Sequence, residues 1–93
     1  MSKKIKKLDA KTAMQLRQDF YSDIEAGKLS LSDALKQMRK IAGMTQTEYA
    51  QLIGITPRVL MDIERKKGNP RLDTLSKLGK PFGLKLGFVL AKK

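Results

Sequence analysis

Residues 43–57 decide the fold, and they read GMTQTEYAQLIGITP. Thr45 and Glu48 have the spacing of a capping box, which predicts that a helix begins just after the threonine. Gly54 predicts the end of that helix, because glycine easily adopts the left-handed conformation that follows a last turn. Pro57 predicts the first residue of the next helix, since proline gives up no hydrogen bond there. Two helices joined by so short a turn must cross steeply.

Apolar spacing on both sides of this stretch predicts further helices and an all-α fold. Besides the helix between Thr45 and Gly54, the predicted helices span about residues 9–26, 31–42, 57–66 and 72–78. In each of them apolar residues recur three or four positions apart, which places them on one face. The faces consist of Ala13, Leu16, Phe20 and Ile24; of Leu31, Leu35, Met38 and Ala42; of Tyr49, Ala50, Leu52 and Ile53; of Leu60 and Ile63; and of Leu72, Leu75 and Leu78. Together they predict one modest core, as the length of 93 residues allows.

The end of the chain has a different pattern. Leu84, Leu86, Phe88 and Leu90 alternate with period two, which predicts a short β-strand. The pattern shows no second strand in the chain, and an unpaired strand leaves its backbone groups without partners. We therefore expect it to pair antiparallel with the same strand of a second copy, in a homodimer. A strand folded back on its own helices, or a frayed tail, is the alternative.

Composition argues against several classes of function. The chain has no Cys and no His, so disulfides and zinc sites built from these residues are impossible, and the commonest general base is missing. The carboxylates and hydroxyls form no motif typical of catalysis, so we expect no enzyme activity, no metal site and no cofactor. No apolar run is long enough to span a bilayer, and no secretory signal follows the first lysines. We expect a cytoplasmic protein.

The charge points to a polyanionic partner. The chain carries a formal net charge of +11, with 20 basic and 9 acidic residues. Such an excess favours nucleic acid or an anionic membrane surface as the partner. Six of the lysines lie at the two termini, which leaves 14 basic residues against the 9 acidic ones. A merely solubilising lysine coat is the alternative, and only the motifs can distinguish between the two.

Three segments in register resemble the Cro/lambda-repressor (XRE) helix-turn-helix family. They are residues 43–56, the pair Ile63-Glu64, and residues 69–75, which read NPRLDTL. The resemblance covers residues 32–83 and implies a lambda-repressor-like five-helix domain that binds double-stranded DNA. It divides the chain into a basic tail with an extra helix (1–31), the helix-turn-helix domain (32–83) and a dimerisation strand with a tail (84–93). The role of the helix over 9–26 is left open between partner binding, dimerisation and packing.

The resemblance also implies roles for individual residues. The helix that begins at Pro57 would enter the major groove, with Pro57, Arg58, Met61 and Asp62 as base contacts. Arg58 would bind guanine and Asp62 would accept from cytosine, while Met61 would touch a thymine methyl group. Asp62 could instead only orient an arginine. The residues that match phosphate contacts are Gln46, Thr47, Thr56, Arg65 and Arg71. Arg39 and Glu64 resemble a structural ion pair of the family.

The sequence departs from the family at the start of the helix that begins at Pro57, which would read the bases. Pro57 stands where related proteins often carry a side chain that hydrogen-bonds a base, so one base contact is lost or replaced by packing. Val59 and Leu60 make this helix unusually apolar, which would fit a methyl-rich target or a protein contact.

The ending over residues 83–90 resembles HipB-type antitoxins, in which a short strand pairs across a dimer. This resemblance implies a repressor of its own operon that also binds a kinase-like toxin. The alternative is a stand-alone or phage-type repressor without a toxin. An interaction module that has lost DNA binding is a third possibility, and the basic residues of the fourth helix and the following turn argue against it: Arg58, Arg65, Lys66, Lys67 and Arg71.

Overall fold

The computed structural model describes residues 9–88, and these residues form five α-helices and a short 3₁₀ turn. The elements are α1 (Ala10–Glu25), α2 (Leu31–Ala42), α3 (Gln46–Ile53), α4 (Pro57–Glu64), α5 (Leu72–Leu78) and the turn η1 (Lys80–Phe82). The all-α prediction is confirmed for the described residues, and the predicted helices differ from the observed ones by at most two residues at either end. None of the described helices combines the length and the apolar character needed to cross a membrane.

The α3–α4 connection forms as its sequence predicts. Thr45 Oγ1 accepts from the backbone N–H of Glu48 at 3.1 Å, and the Glu48 carboxylate accepts from the Thr45 N–H at 2.9 Å. Gly54 ends α3 with a φ of 79°, a conformation that costs a glycine little. The Thr56 hydroxyl then accepts from the N–H of Val59 at 3.2 Å, so that only residues 54–56 separate the end of α3 from the beginning of α4.

A cluster of buried apolar residues joins all five α-helices and η1. Leu35, Tyr49, Ala50 and Leu60 are fully buried within it. The Tyr49 hydroxyl donates to the carbonyl oxygen of Leu78 at 2.8 Å, which ties α3 to the end of α5. Burial raises the pKa of Tyr49 to about 12, because the charged phenolate is disfavoured away from water.

The predicted helix at the N-terminal end packs on the turn that follows α5. Phe20 of α1 is buried, and its ring lies edge-on to the Phe82 ring with centroids 5.5 Å apart. Tyr21 packs against Phe20 and donates its hydroxyl to the Phe82 carbonyl at 2.7 Å. Arg17 lies over the Phe82 ring, with its guanidinium carbon 4.8 Å from the ring centre. We call Arg17, Phe20, Tyr21 and Phe82 the aromatic cluster. Of the three roles considered for this helix, packing is the one that these contacts describe.

Three residues of the predicted apolar faces are exposed instead of contributing to the core. Leu31, Leu52 and Leu72 are 44%, 54% and 73% exposed. The prediction fails for Leu31 and Leu72 because each is the first residue of its helix, where a neighbouring turn covers only one side. Leu52 lies at the edge of the α3 stripe, beside the buried Tyr49 and Ile53.

The predicted C-terminal strand is not seen in the described part of a single chain. Residues 84–88 adopt no regular secondary structure, and Val89 and Leu90 lie outside the described residues. The chain reverses at Gly79, whose carbonyl accepts from the N–H groups of Phe82 and Leu84, both at 3.0 Å. Beyond Leu84, Leu86 is 45% exposed and Phe88 is fully exposed. A strand needs a neighbouring strand for its ladder, and none of the other described residues supplies one. The pairing across a dimer therefore stays a prediction.

Candidate nucleic-acid interface

The outer face of α4 is at least partly open to solvent, whereas its inner face is part of the core. Leu60 and Ile63 are buried, so Leu60 is not available as a base or protein contact. Pro57 and Arg58 are exposed at the beginning of the helix, while Met61 and Asp62 are half-buried one turn later. The four predicted base contacts therefore lie on one side of α4, next to one another.

The two charged members of this face touch each other. Arg58 Nε lies 3.6 Å from Asp62 Oδ1, one helical turn along α4, and the Arg58 side chain is 84% exposed. An exposed pair of this kind contributes little to folding stability. The contact places the guanidinium beside the Asp62 carboxylate. Arg58 in turn offsets part of the repulsion that the Asp62 carboxylate would meet beside phosphates.

A run of cations continues from the end of α4 into the turn before α5. Arg65, Lys66, Lys67 and Arg71 are all exposed, and no acidic residue interrupts residues 65–72. The chain bends here through positive φ values at Lys66 (60°) and Gly68 (74°). The two predicted phosphate contacts of this region, Arg65 and Arg71, therefore belong to a wider basic surface that includes both lysines. A surface of this charge attracts a nucleic-acid backbone.

The beginning of α3 supplies a second group of donors. Its first N–H groups, at Gln46 and Thr47, have no carbonyl within the helix to bond. Thr47 is exposed and Gln46 is half-buried. The Thr56 hydroxyl at the start of α4 uses its oxygen to accept from Val59, which leaves its proton for a further acceptor. Backbone and hydroxyl donors at a helix N-terminus are suited to phosphate oxygens.

Behind this surface a buried carboxylate connects three helices. Glu64 has a side chain only 4% exposed, and it accepts from Arg39 Nε at 2.8 Å and from Arg39 Nη2 at 3.0 Å. Arg39 Nη1 also donates to the carbonyl oxygen of Met44 at 3.4 Å, in the loop before α3. The pair thus has the bidentate geometry that arginine and carboxylate favour.

One contact of this group has no counterpart in the sequence predictions. Gln46 Nε2, predicted as a phosphate contact, donates to Glu64 Oε1 at 3.1 Å. The two residues are 18 positions apart, so neither helical spacing nor a capping pattern could reveal the contact. We call Arg39, Gln46 and Glu64 the Glu64 network.

The residues predicted for dimerisation lie apart from this surface. Leu84 and Leu86 line a largely apolar groove of about 520 Å³ together with Leu29, Leu75 and Leu78, and no residue of α4 lines it. The described residues hold no group of His, Cys, Asp or Glu side chains that could bind a metal ion.

Comparison with known proteins agrees with this architecture. The pattern of the helix-turn-helix family matches residues 35–89. The HTH-type transcriptional regulator ImmR of Bacillus subtilis (strain 168) is 36% identical over 64 residues, which cover 69% of this chain and 50% of ImmR. The HTH-type transcriptional regulator PuuR of Escherichia coli (strain K12) is 38% identical over 52 residues, which cover 56% of this chain and 28% of PuuR. The chain thus spans half the length of ImmR or less than a third of PuuR. No solved structure matches it significantly.

The matched residues include most of α2, all of α3, α4 and α5, and the turns between them. They contain the capping box, the Gly54 turn and the Glu64 network, which together fix the crossing of α3 and α4. The resemblance on which the sequence predictions rest is confirmed, and the chain belongs to the XRE-type helix-turn-helix family.

Proposed function

We propose that this chain is a sequence-specific transcriptional regulator that binds double-stranded DNA and inserts α4 into the major groove. The observation that carries the proposal is the outer face of α4, where an exposed arginine begins a surface that continues into four further cations. Membership of a family that includes two HTH-type transcriptional regulators supports it. The charge would also suit an anionic membrane surface. Binding to such a surface would not require the short turn that sets the crossing of α3 and α4.

Base reading is assigned to the beginning of α4. Arg58 donates two hydrogen bonds to a guanine, and Asp62 accepts from the amino group of a cytosine or restrains Arg58 for that contact. Met61 contacts a thymine methyl group, and Pro57 packs against the groove without a hydrogen bond. Because Arg58 and Asp62 already touch, the two reading groups act as one unit.

Phosphate binding is assigned to the residues around the reading face. Arg65 and Arg71 supply charge, while Gln46, Thr47 and Thr56 supply neutral donors. These contacts set the position of α4 on the duplex without reading its sequence. Residues 32–83 make up the DNA-binding unit in this proposal, and the protein acts in the cytoplasm, on the nucleoid.

Repression as a homodimer is the finer form of the proposal. A palindromic site read by two copies of α4 would use successive major grooves, about 34–36 Å apart. The exposed Leu86 and Phe88 support an interface formed by residues 84–93. In the paired strands that the alternation predicts, Leu84 and Leu90 would lie on the same side as Leu86 and Phe88. Deletion of residues 84–93 should then give a monomer in solution. A truncated chain that stays dimeric would refute this interface.

The antitoxin role depends on the same ending and on its resemblance to HipB-type antitoxins. Its support is the alternation over residues 84–90, and a stand-alone repressor is the alternative. Co-expression with the product of the neighbouring gene tests it. An antitoxin should copurify with a kinase-like protein in a fixed ratio, and a stand-alone repressor should purify by itself.

The DNA-binding proposal is tested by selection from a random pool of duplexes. The immobilised chain should enrich one motif over several rounds. The Arg58→Ala variant should enrich the same motif with one base pair relaxed in each half-site. The matched control is Lys36→Ala, which removes an exposed cation from α2 and should enrich the unchanged motif. A wild-type chain that enriches no motif over the starting pool would refute sequence-specific binding.

A further inference from the structure

The Glu64 network joins a residue assigned to phosphate binding to the helix assigned to base reading. Gln46 lies at the first position of α3 and Glu64 at the last position of α4, and 3.1 Å separates Gln46 Nε2 from Glu64 Oε1. The carboxylate is almost completely buried, and Arg39 donates one hydrogen bond to each of its two oxygens. Glu64 therefore cannot turn away from Gln46 without breaking the ion pair.

The chemistry of this contact fixes which way the Gln46 amide faces. An ionised carboxylate only accepts hydrogen bonds, so Glu64 must face the nitrogen of the amide and not its oxygen. One N–H of Nε2 then bonds Glu64, and the second N–H points away from it. Gln46 as a whole is half-buried, and Thr47, the next residue of α3, is exposed.

We propose that Glu64 is a positioning residue for DNA binding, which holds the Gln46 amide with its free N–H ready for a backbone phosphate. The proposal rests on the DNA-binding function proposed above and adds a role for Glu64 beyond its ion pair with Arg39. A free glutamine side chain would lose its rotational freedom on binding, whereas Gln46 has already lost it in the folded chain.

The size of the effect follows from that freedom. Fixing one flexible side chain in advance corresponds to roughly 2- to 10-fold in Kd for DNA. Because a phosphate contact carries no sequence information, the gain applies to every duplex alike. It therefore changes affinity and leaves the ratio between specific and random duplexes unchanged.

Two double variants separate positioning from charge. Arg39→Met with Glu64→Gln removes both buried charges and keeps a carbonyl oxygen that can accept from Gln46. Arg39→Met with Glu64→Met removes the same charges and offers no acceptor. Thermal unfolding is measured for both double variants. Their Kd is measured on two fluorescent duplexes, one of random sequence and one with the selected motif. Each measurement is repeated in the Gln46→Ala background.

The acceptor-keeping variant should bind both duplexes roughly 2- to 10-fold more tightly than the variant without an acceptor. In the Gln46→Ala background this difference should vanish. Equal affinities in the first comparison, or a difference that persists without Gln46, would overturn the positioning role. A wild-type chain that binds neither duplex would instead refute the DNA-binding function.

Hydrogen exchange in the wild-type chain tests the same inference without a variant. The side-chain amide protons of Gln46 should exchange more slowly than those of Gln51, an exposed glutamine of the same helix. Addition of the random duplex should shift the Gln46 amide resonance and leave Gln51 in place. Equal exchange of the two amides before DNA is added would contradict the preset orientation.

Discussion

The two ends of the domain are held together by different chemistry. The Glu64 network joins α2, α3 and α4 through directional hydrogen bonds to one buried carboxylate, at 2.8, 3.0 and 3.1 Å. The aromatic cluster joins α1 to η1 mainly through the rings of Phe20, Tyr21 and Phe82, with centroid distances of 5.4 to 6.4 Å. Hydrogen bonds fix orientation, whereas ring packing provides buried area with more tolerance in angle.

The difference between the ends corresponds to what each must do. A helix that reads bases has to be held at one angle, so a directional network suits the α3–α4 crossing. The aromatic cluster contains no residue of α3 or α4, and its packing stabilises the fold. We therefore expect variants of the aromatic cluster to change stability alone, and variants of the Glu64 network to change both stability and DNA binding.

The largest effect is expected at the aromatic cluster. Phe20→Ala should lower the free energy of unfolding by about 3–5 kcal/mol, because it empties a fully packed site against Phe82. Urea unfolding followed by circular dichroism measures this loss. Met14→Ala on the same helix is the control, since Met14 is 63% exposed and should change stability by less than about 0.5 kcal/mol.

The same cluster separates stability from binding. The milder Phe20→Leu variant should unfold more easily than the wild type, yet bind the selected duplex with the same Kd while it is folded. A clear loss of affinity in the folded Phe20→Leu variant would mean that the two ends are not independent.

An effect of similar size is expected in the Glu64 network. Arg39→Met alone should destabilise the fold by about 3–5 kcal/mol, because it leaves the buried Glu64 carboxylate without its charged partner. The double variant Arg39→Met, Glu64→Met should recover much of that loss, since two apolar side chains can replace a buried pair at little cost. Thermal and urea unfolding compare the three chains. Small and equal losses of unfolding free energy in the single and double variants would show that Arg39→Met leaves no buried charge without a partner.

The buried Tyr49 gives the stability of the fold a pH dependence. Its pKa is about 12 in the folded chain and near 10 when unfolded, so the unfolded chain loses this proton at lower pH. The sign follows from this difference. The stability that Tyr49 contributes as a neutral phenol is complete below pH 10 and is lost as pH rises from 10 towards 12.

Tyr49→Phe tests that dependence. At neutral pH it should cost about 1 kcal/mol, the value of one buried hydrogen bond to Leu78. Between pH 10 and 12 its free energy of unfolding should fall less steeply than that of the wild type. Parallel pH profiles for the two chains would contradict the burial of the phenol.

Local signals made most of the helical frame predictable from the sequence. The capping box at Thr45, the glycine at 54 and the proline at 57 act within three or four residues, so a short window of sequence determines them. Such signals also gave the ends of α2, where Ser30 caps the helix and Gly43 follows it in the left-handed conformation.

Contacts between distant parts of the chain were harder to predict. The hydrogen bond between Gln46 and Glu64 depends on how α3 crosses α4, and the ring contact between Phe20 and Phe82 joins the first and the last element along the described chain. Leu52 fits a helical stripe, but its exposure is decided by which neighbour covers the stripe. A strand over residues 84–90 depends on a second chain, and a pattern in one sequence predicts only its capacity to pair.

The claim that α4 reads DNA is tested most directly at Arg58. The Kd is measured for the wild type, Arg58→Ala and Lys36→Ala, each on the selected duplex and on a scrambled duplex of the same composition. The measurement is repeated over a series of salt concentrations. Arg58→Ala should weaken binding to the selected duplex by about 1–3 kcal/mol and bind the scrambled duplex almost as well as the wild type does. About seven phosphate contacts per dimer should give the wild type a log–log salt slope of about −6. Equal losses on both duplexes, or an affinity that does not change with salt, would contradict the account.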